Sequence, residues 1–387
     1  MSLFLLDAYA LIFRAYYGFI KNPRINSHGE NTSAVMGFVN ILEEVMAKFH
    51  PTHIGVAFDP PGGTFRSERY ADYKAQRDET PEGIRFATPW IKRILEAYRI
   101  PIIEVAGFEA DDVIGTLATE ADRRGIDTFM LTPDKDYGQL VTDHVTMLRP
   151  GSKGDFELMT PAAICEKWGI DSPRQVIDIL GLMGDAADNI PGCPGVGEKT
   201  ASKLIRQFGN INGLLGRTAE LKGALRTKVE GATEQIRLSR WLAEIVTDVP
   251  VQLDMEALQL RQPDADALAE IFSRLELRSL MRRKLGDTAA PQRAAASQPV
   301  QGDLFVQPVQ GDLFAQPASA PQPASTPQPT TAPLDSYSPD SATYTLVATP
   351  EARAQLMQQL MAAEEVSIDT ETTSTEAIDA ELVGLSF

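Results

Sequence analysis

Short, wholly apolar runs alternate with longer stretches in which apolar residues recur every three or four positions, and this alternation organises the chain through about residue 150. Leu3 to Leu6 has no polar position, which predicts a strand buried on both faces of a parallel sheet, and the run ends in Asp7. Ala8 to Ile20 has helical periodicity, and Thr32 and Ser33 can cap a second helix running to about Phe49. A second buried strand, Thr52 to Phe58, also ends in an acid, Asp59. Pro81 starts a helix to about Tyr98, and a strand follows over Ile102 to Val105. The stretch GFEADDVIGTL from Gly107 then opens a helix through Val113, Ile114, Leu117 and Ala118. A further strand over Thr128 to Leu131 leads into TPDKDYGQL. Repeated alternation of strand and helix predicts a doubly wound α/β domain, whose ligand sites lie beyond the carboxyl ends of its strands.

From Thr160 the pattern is helical to about Leu285, with Pro161 suited to a first helical position. Within it, Gly181 to Gly209 reads GLMGDAADNIPGCPGVGEKTASKLIRQFG. Asp185 and Asp188 are one turn apart and are expected on one side of a helix. The next residues read as helix, glycine-rich hairpin, helix. Gly195 and Gly197, flanking Val196, let backbone amides form an anion-binding nest, to which Lys199, Thr200 and the following helix N-terminus add. The plainer reading is a tight connection between two helices.

The composition then breaks. In residues 289–342, ten of 54 positions are proline and most of the rest are Gln, Ala, Ser and Thr, which predicts a flexible linker unable to offset its ordering entropy by burial. Inside it QPVQGDLFV is followed by QPVQGDLFA. From Tyr344 an ordered pattern resumes and runs to VSIDTET.

The acids change the picture most. Glu109, Asp111 and Asp112 crowd into four positions, where like charges repel unless a cation is held. Acids at a helix start can merely complement the macrodipole. Against that reading, Asp7, Asp59, Asp134 and Asp136 also follow strand ends. Between them lies FRSERYADYKAQRDETP, where Arg66, Arg69, Lys74 and Arg77 interleave with Tyr70 and Tyr73. That pattern suits phosphates and stacked bases, or a solvated charged helix.

The net charge of −17 speaks at first against a polyanionic partner. Residues 289–387, however, carry 2 basic against 12 acidic side chains, leaving residues 1–288 with 34 against 41. If about eight of those acids surround divalent cations, the remainder of that region is near neutral. Two cysteines, Cys165 and Cys193, lack metal-ligand spacing and suit a reducing, cytoplasmic setting. The start MSLFLLD has no basic n-region and is broken at Asp7 and Arg14, so neither a signal peptide nor a membrane span is expected there.

VAFDPPG, YADYKAQRDETP, GFEADDVIGTLA, TPDKDYGQLV and GDAADNIPGCPGVGEKTA, in this order, resemble the 5′ nuclease domains of bacterial DNA polymerase I and the related flap endonucleases over about residues 2–285. The resemblance implies a PIN-like α/β catalytic core over residues 1–158 and a helical helix-hairpin-helix subdomain over 159–288. It implies a nuclease, as a monomer, on DNA with a 5′ flap or nick and on RNA primers paired to DNA. Asp7, Asp59, Glu109 and Asp111 would serve one Mg²⁺ or Mn²⁺, and Asp134, Asp136 and Asp185 a second, with Asp112 and Asp188 as outer partners. Lys74, with Arg66 and Arg77 behind it, would hold the scissile phosphate, and the hairpin would grip the duplex, with K⁺ bound there in the family. Cys193 departs from the aliphatic residue more usual at its position. A non-catalytic module that positions a polymerase is the alternative.

SIDTETT, with Asp369 and Glu371, resembles the first motif of a 3′–5′ exonuclease domain. Residues 343–387 are too few for that domain, so the chain reads as the front of a longer polymerase. The repeats place Gln301, Leu304 and Phe305, then Gln310, Leu313 and Phe314, in a pattern similar to peptides that dock on the bacterial sliding clamp; simple linker duplication is the plainer account.

Overall fold

Leu3 and Leu5 point to one side of the first strand and Phe4 and Leu6 to the other, and each pair enters a different hydrophobic core. This two-sided burial is the reason the run has no polar position. The computed structural model describes residues 1–151, 154–285, 355–356, 358–360, 369–372 and 382–386.

The chain runs β1 (Ser2–Asp7), α1 (Ala8–Gly18), α2 (Ser33–Phe49), β2 (His53–Ala57), α3 (Phe65–Arg69), α4 (Glu82–Ala97), β3 (Ile102–Ile103), α5 (Ala110–Arg123) and β4 (Asp127–Leu131). A 3-10 turn over Lys135–Leu140 leads to β5 (Val145–Pro150) and β6 (Phe156–Met159). The sheet order is β3-β2-β1-β4-β5-β6, parallel throughout except for β6, which pairs antiparallel with β5. Strand order therefore reverses at β1, between β2 and β4, which opens a crevice at the carboxyl end of β1. The third predicted strand keeps two residues of its run, because Ile102 and Ile103 alone pair with β2. The strands β5 and β6 lie beyond those anticipated from the sequence.

Helices follow: α6 (Pro161–Trp168), α7 (Val176–Met183), α8 (Glu198–Phe208), α9 (Ile211–Gly216), α10 (Gly223–Gly231), α11 (Thr233–Ala243), α12 (Ala265–Arg274) and α13 (Arg278–Leu285). Thr160 caps α6, its Oγ1 accepting from Ala163 N at 3.4 Å. The last helices do not stay with the helical region: Leu268, Phe272, Leu275 and Leu280 enter the same core as α2 and α4. Residues 1–285 accordingly lie within one compact unit. In the second unit, described by itself, β7 (Asp369–Thr372) and β8 (Leu382–Ser386) pair antiparallel. The linker and the residues Gln301, Leu304, Phe305, Gln310, Leu313 and Phe314 lie outside the described residues. Among those that are described, no helix is long and apolar enough to cross a membrane.

Between α7 and α8 the chain makes a tight loop, not the helix expected to carry Asp185 and Asp188. Asp185 N donates to Ile190 O at 2.8 Å and Ile190 N returns to Asp185 O at 2.7 Å. Two glycines face each other at its base. Gly184 (φ +73°) would place a Cβ 2.4 Å from Ile190 O, and Gly192 (φ +62°) would place one 2.4 Å from Gly184 N. Both obstacles are backbone, so neither can rotate away. Gly184→Ala is therefore expected to cost at least about 2 kcal/mol in urea unfolding. Ala substituted at Gly197, where a Cβ meets nothing within 4 Å, is expected to cost less than half as much; equal costs would contradict the steric account.

Candidate metal centre and nucleic-acid interface

The acids are delivered by the ends of strands, the start of α5 and the loop after α7. Asp7 closes β1 and caps α1, with Oδ1 accepting from Ala10 N at 3.2 Å. Its Oδ2 accepts from Thr132 Oγ1 and from the Tyr137 hydroxyl, both at 3.1 Å. Asp59, two residues beyond β2, accepts from Ala110 N at 2.7 Å and so ties that strand to the start of α5. Glu109 is the N-cap residue of α5 and Asp111 lies in its first turn. Asp134 follows β4 and accepts from Asp136 N at 3.0 Å. The loop after α7 brings Asp185 and Asp188 to the same mouth.

Electrostatics show how close these groups are. The phenol of the fully buried Tyr137 is held well above its ordinary range by burial and then by Asp7, Asp111, Asp134 and Asp59, so one ring senses acids from four elements. Burial, and then Asp59 and Asp134, push Asp7 up to about 7. Burial also pushes Asp136 up to about 8, with Asp134 and Asp185 adding to it against Lys135. Asp111 stands well above the usual carboxylate range through burial and its neighbours Asp112 and Glu109. Asp188 is the exception. Burial opposes ionisation there, but Lys74 and Arg77 outweigh it and hold the group below its ordinary value.

Two lysines divide the acids. Lys74 Nζ lies 2.9 Å from Glu109 Oε2 and 3.7 Å from Asp188 Oδ2. Lys135 Nζ lies 3.3 Å from Asp136 Oδ1 and donates to Asp185 Oδ2. As the side chains stand, no three carboxylate, imidazole or thiol groups among the described residues close on a single point. The donor set still fits a hard divalent cation: it is oxygen only, largely ionisable, and includes a buried Asp136 Oδ1 that accepts no hydrogen bond. Lys135, Thr132 and Tyr137 were not among the residues anticipated, and Tyr73, expected as a stacking ring, instead places its hydroxyl 3.1 Å from Glu109 Oε2. The position of Lys135 between two expected ligands was the one available signal.

Two expected site residues lie behind the mouth rather than in it, with Arg66 Nη1 3.5 Å from Glu109 Oε2. Arg66 is 1% exposed, and its guanidinium is bidentate on Asp112, with both contacts at 2.7 Å. It also donates to Leu242 O at 3.0 Å and Glu244 O at 2.8 Å. Asp112, fully buried, accepts further from Glu109 N and Val246 N. A guanidinium with four protein acceptors cannot also hold a phosphate, and this carboxylate has no oxygen left for a cation. Arg66 and Asp112 form a strut joining α3, α5 and the end of α11. A basic residue in a mixed aromatic and basic segment reads the same in sequence whether it faces solvent or core.

Lys74 and Arg77 do reach the mouth. Their segment is latched onto the loop after α7, with Lys74 N donating to Asp188 O at 3.0 Å and Asn189 Nδ2 to Asp72 O at 2.7 Å. Lys74 and Asn189 both adopt left-handed backbone (φ +57° and +56°) at this latch.

The hairpin lies between α7 and α8. Gly195 (φ +73°) turns the chain, Val196 anchors it in the core, and Gly197 precedes α8. Lys199 is exposed, and Lys228 of α10 approaches so closely that a Cβ at Gly195 would lie 2.5 Å from its Nζ. Cys193 is buried and donates its N–H to Leu182 O, so it serves as a small apolar residue.

Known proteins bear on this arrangement. The family model described as 5′–3′ exonuclease, N-terminal resolvase-like domain matches residues 2–169, and that described as 5′–3′ exonuclease, C-terminal SAM fold matches residues 171–266. DNA polymerase I of Chloroflexus aurantiacus is 38% identical over 99% of this chain and 40% of its own length. DNA polymerase I of Bacillus subtilis is 40% identical over 75% of the chain and 33% of its own length. The chain thus spans well under half of these relatives. A bacteriophage T5 5′-exonuclease solved with divalent zinc ions is 21% identical with TM-score 0.51, covering 72% of this chain and 98% of its own. A T5 flap endonuclease in complex with DNA and metal ions, also 21% identical, gives 0.52 over 74% and 98%. These structures share the fold. With consecutive models of both nuclease subdomains covering most of its length, the chain belongs to the 5′–3′ exonuclease family.

Proposed function

We propose that this chain hydrolyses phosphodiester bonds of DNA at 5′ flaps and nicks, and of RNA primers paired to DNA, as the nuclease portion of a DNA polymerase I in the cytoplasm. The observation that carries the reading is the gathering of eight acids, Asp7, Asp59, Glu109, Asp111, Asp134, Asp136, Asp185 and Asp188, at the switch point of a parallel sheet. Asp7, Asp59, Glu109 and Asp111 would hold one divalent ion, and Asp134, Asp136 and Asp185 another, with Asp188 supporting through Lys74 and Arg77. Bound there, Mg²⁺ or Mn²⁺ would supply Lewis acidity to activate water and offset charge on the leaving oxygen.

The chain's own residues do the rest. Lys74 extends from a latched segment over the acids, where an ammonium can meet a non-bridging phosphate oxygen, and Arg77 beside it is exposed enough to do the same. The amides around Gly195 and Gly197, with the Thr200 hydroxyl and the charges of Lys199 and Lys228, would meet the phosphates of a duplex backbone. A K⁺ among the hairpin carbonyls would strengthen that grip. Contacts of this kind read shape rather than base sequence. In the tail, the two QGDLF repeats would offer a sliding clamp two weak peptides whose avidity exceeds either alone.

Cleavage of a 5′-labelled double-flap DNA is expected with Mg²⁺ and not with EDTA, and Asp111→Ala is expected to lose at least about 100-fold in rate. Tight flap binding without product in the unaltered chain would instead favour a positioning module. Lys74→Ala is expected to lower kcat by about 100-fold while leaving urea stability within about 1 kcal/mol. Arg66→Met is expected to do the reverse first, losing about 3–5 kcal/mol of stability because Asp112 is left buried and unpaired. Replacing Leu304, Phe305, Leu313 and Phe314 together by alanine is expected to abolish capture by the clamp in a pull-down; undiminished capture would remove the repeats from the account.

A further inference from the structure

Lys135 is the one cation at the site that arises between two of the acids. Its backbone is fixed: Asp136 N is held by Asp134 Oδ1 at 3.0 Å, and Asp136 O accepts from Gln139 Nε2 at 3.0 Å. The ammonium then folds back over Asp136 Oδ1 at 3.3 Å and bonds Asp185 Oδ2. Asp136 Oδ1 is buried and accepts no hydrogen bond. The remaining oxygen of Asp185 is committed to Ala187 N at 2.7 Å. The free oxygens of the two carboxylates therefore point at a single ammonium. Lys74 stands apart on Glu109 and Asp188, in a segment placed to meet substrate. The side chain of Lys135 is 26% exposed, so its four-carbon stem has an outlet to solvent.

We propose that Lys135 is the resident counter-ion of the Asp136–Asp185 pair, holding the two carboxylates together until a divalent cation takes its place, and that it thereby sets how tightly that side of the centre binds metal. This rests on the two-ion reading. An ammonium and a divalent ion cannot share the gap between the same two oxygens, so entry of one requires the other to swing out. Two consequences follow from the same contacts. In the absence of metal, Lys135 relieves the repulsion among Asp134, Asp136 and Asp185 and supports the loop after α7. With metal present, the same charge competes, which weakens binding at this pair relative to the Glu109 side.

The test is Mn²⁺ binding to the full chain, read by electron paramagnetic resonance, together with metal-free thermal melting, neither of which depends on activity. The relevant class of Mn²⁺ is the one lost in Asp185→Asn. In Lys135→Met that class is expected to tighten by about ten-fold, while the metal-free melting temperature falls and recovers on adding Mn²⁺. Lys135→Arg, which keeps the charge, is expected to bind Mn²⁺ as the wild type does. If Lys135→Met does not fold, Lys135→Gln is read in the same way. Two Mn²⁺ classes in the wild type with the Asp185-dependent one unmoved or weakened in the variant would overturn the role of Lys135 and leave the two-ion reading intact. No Mn²⁺ binding in the wild type would overturn both.

Discussion

Mutual repulsion among buried carboxylates is the constraint on which the rest of this structure depends. Left in water, eight acids would separate; here the sheet forbids it. Five parallel strands end on one side and the order reverses at β1, so the acids that follow β1, β2 and β4 and open α5 are delivered to one crevice. The cost appears in the raised values of Asp7, Asp111 and Asp136, which burial and neighbouring charge push up together. A fold that carries such a cost needs compensating cations, and the chain provides them at two levels: lysines at the mouth and the buried Arg66–Asp112 strut behind it.

That strut explains why the mouth keeps its shape. Arg66 belongs to α3, Asp112 to α5, and the carbonyls of Leu242 and Glu244 to the end of α11. Three segments far apart in sequence are fixed by one guanidinium, two of them leading directly to Glu109 and to Lys74. A buried ion pair adds little stability over apolar packing, but its geometry is specific. The strut sets the distance between the acid cluster and the segment that arches over it, while the latch between Lys74 N and Asp188 O sets the other end.

Much of this was legible in the sequence, because the deciding patterns are local. Leu3 to Leu6 followed by Asp7 states both a two-sided strand and an acid at its carboxyl end, and the structure has both. Pro161 states a first helical position, and α6 begins there. What escaped depends on partners distant in sequence. Arg66 and Lys74 sit in one basic and aromatic segment, yet one is buried against residue 242 and the other meets the crevice. Asp185 and Asp188 have helical spacing, but Gly184 and Gly192 impose a loop through a backbone approach that spacing alone does not encode. The return of α12 and α13 to the α/β core is of the same kind, since an amphipathic helix does not say which apolar face will cover it.

The two lysines illustrate how one charge type serves two purposes in one crevice. Lys74 comes from outside the cluster, on a left-handed residue in a segment latched to the loop after α7, so its ammonium is held over the acids by backbone contacts that would persist if the acids were neutralised by metal. It is therefore free to turn toward a phosphate once Glu109 no longer needs it. Lys135 comes from inside the cluster, beside Asp136 whose backbone N and O are held by Asp134 and Gln139, and its charged partners among the described residues are the acids themselves. Neutralising those acids removes its reason to point inward. On the proposed two-ion reading, the cation that would free Lys74 for substrate would also release Lys135, exchanging an internal counter-ion for an external one while the strands that define the crevice stay in place.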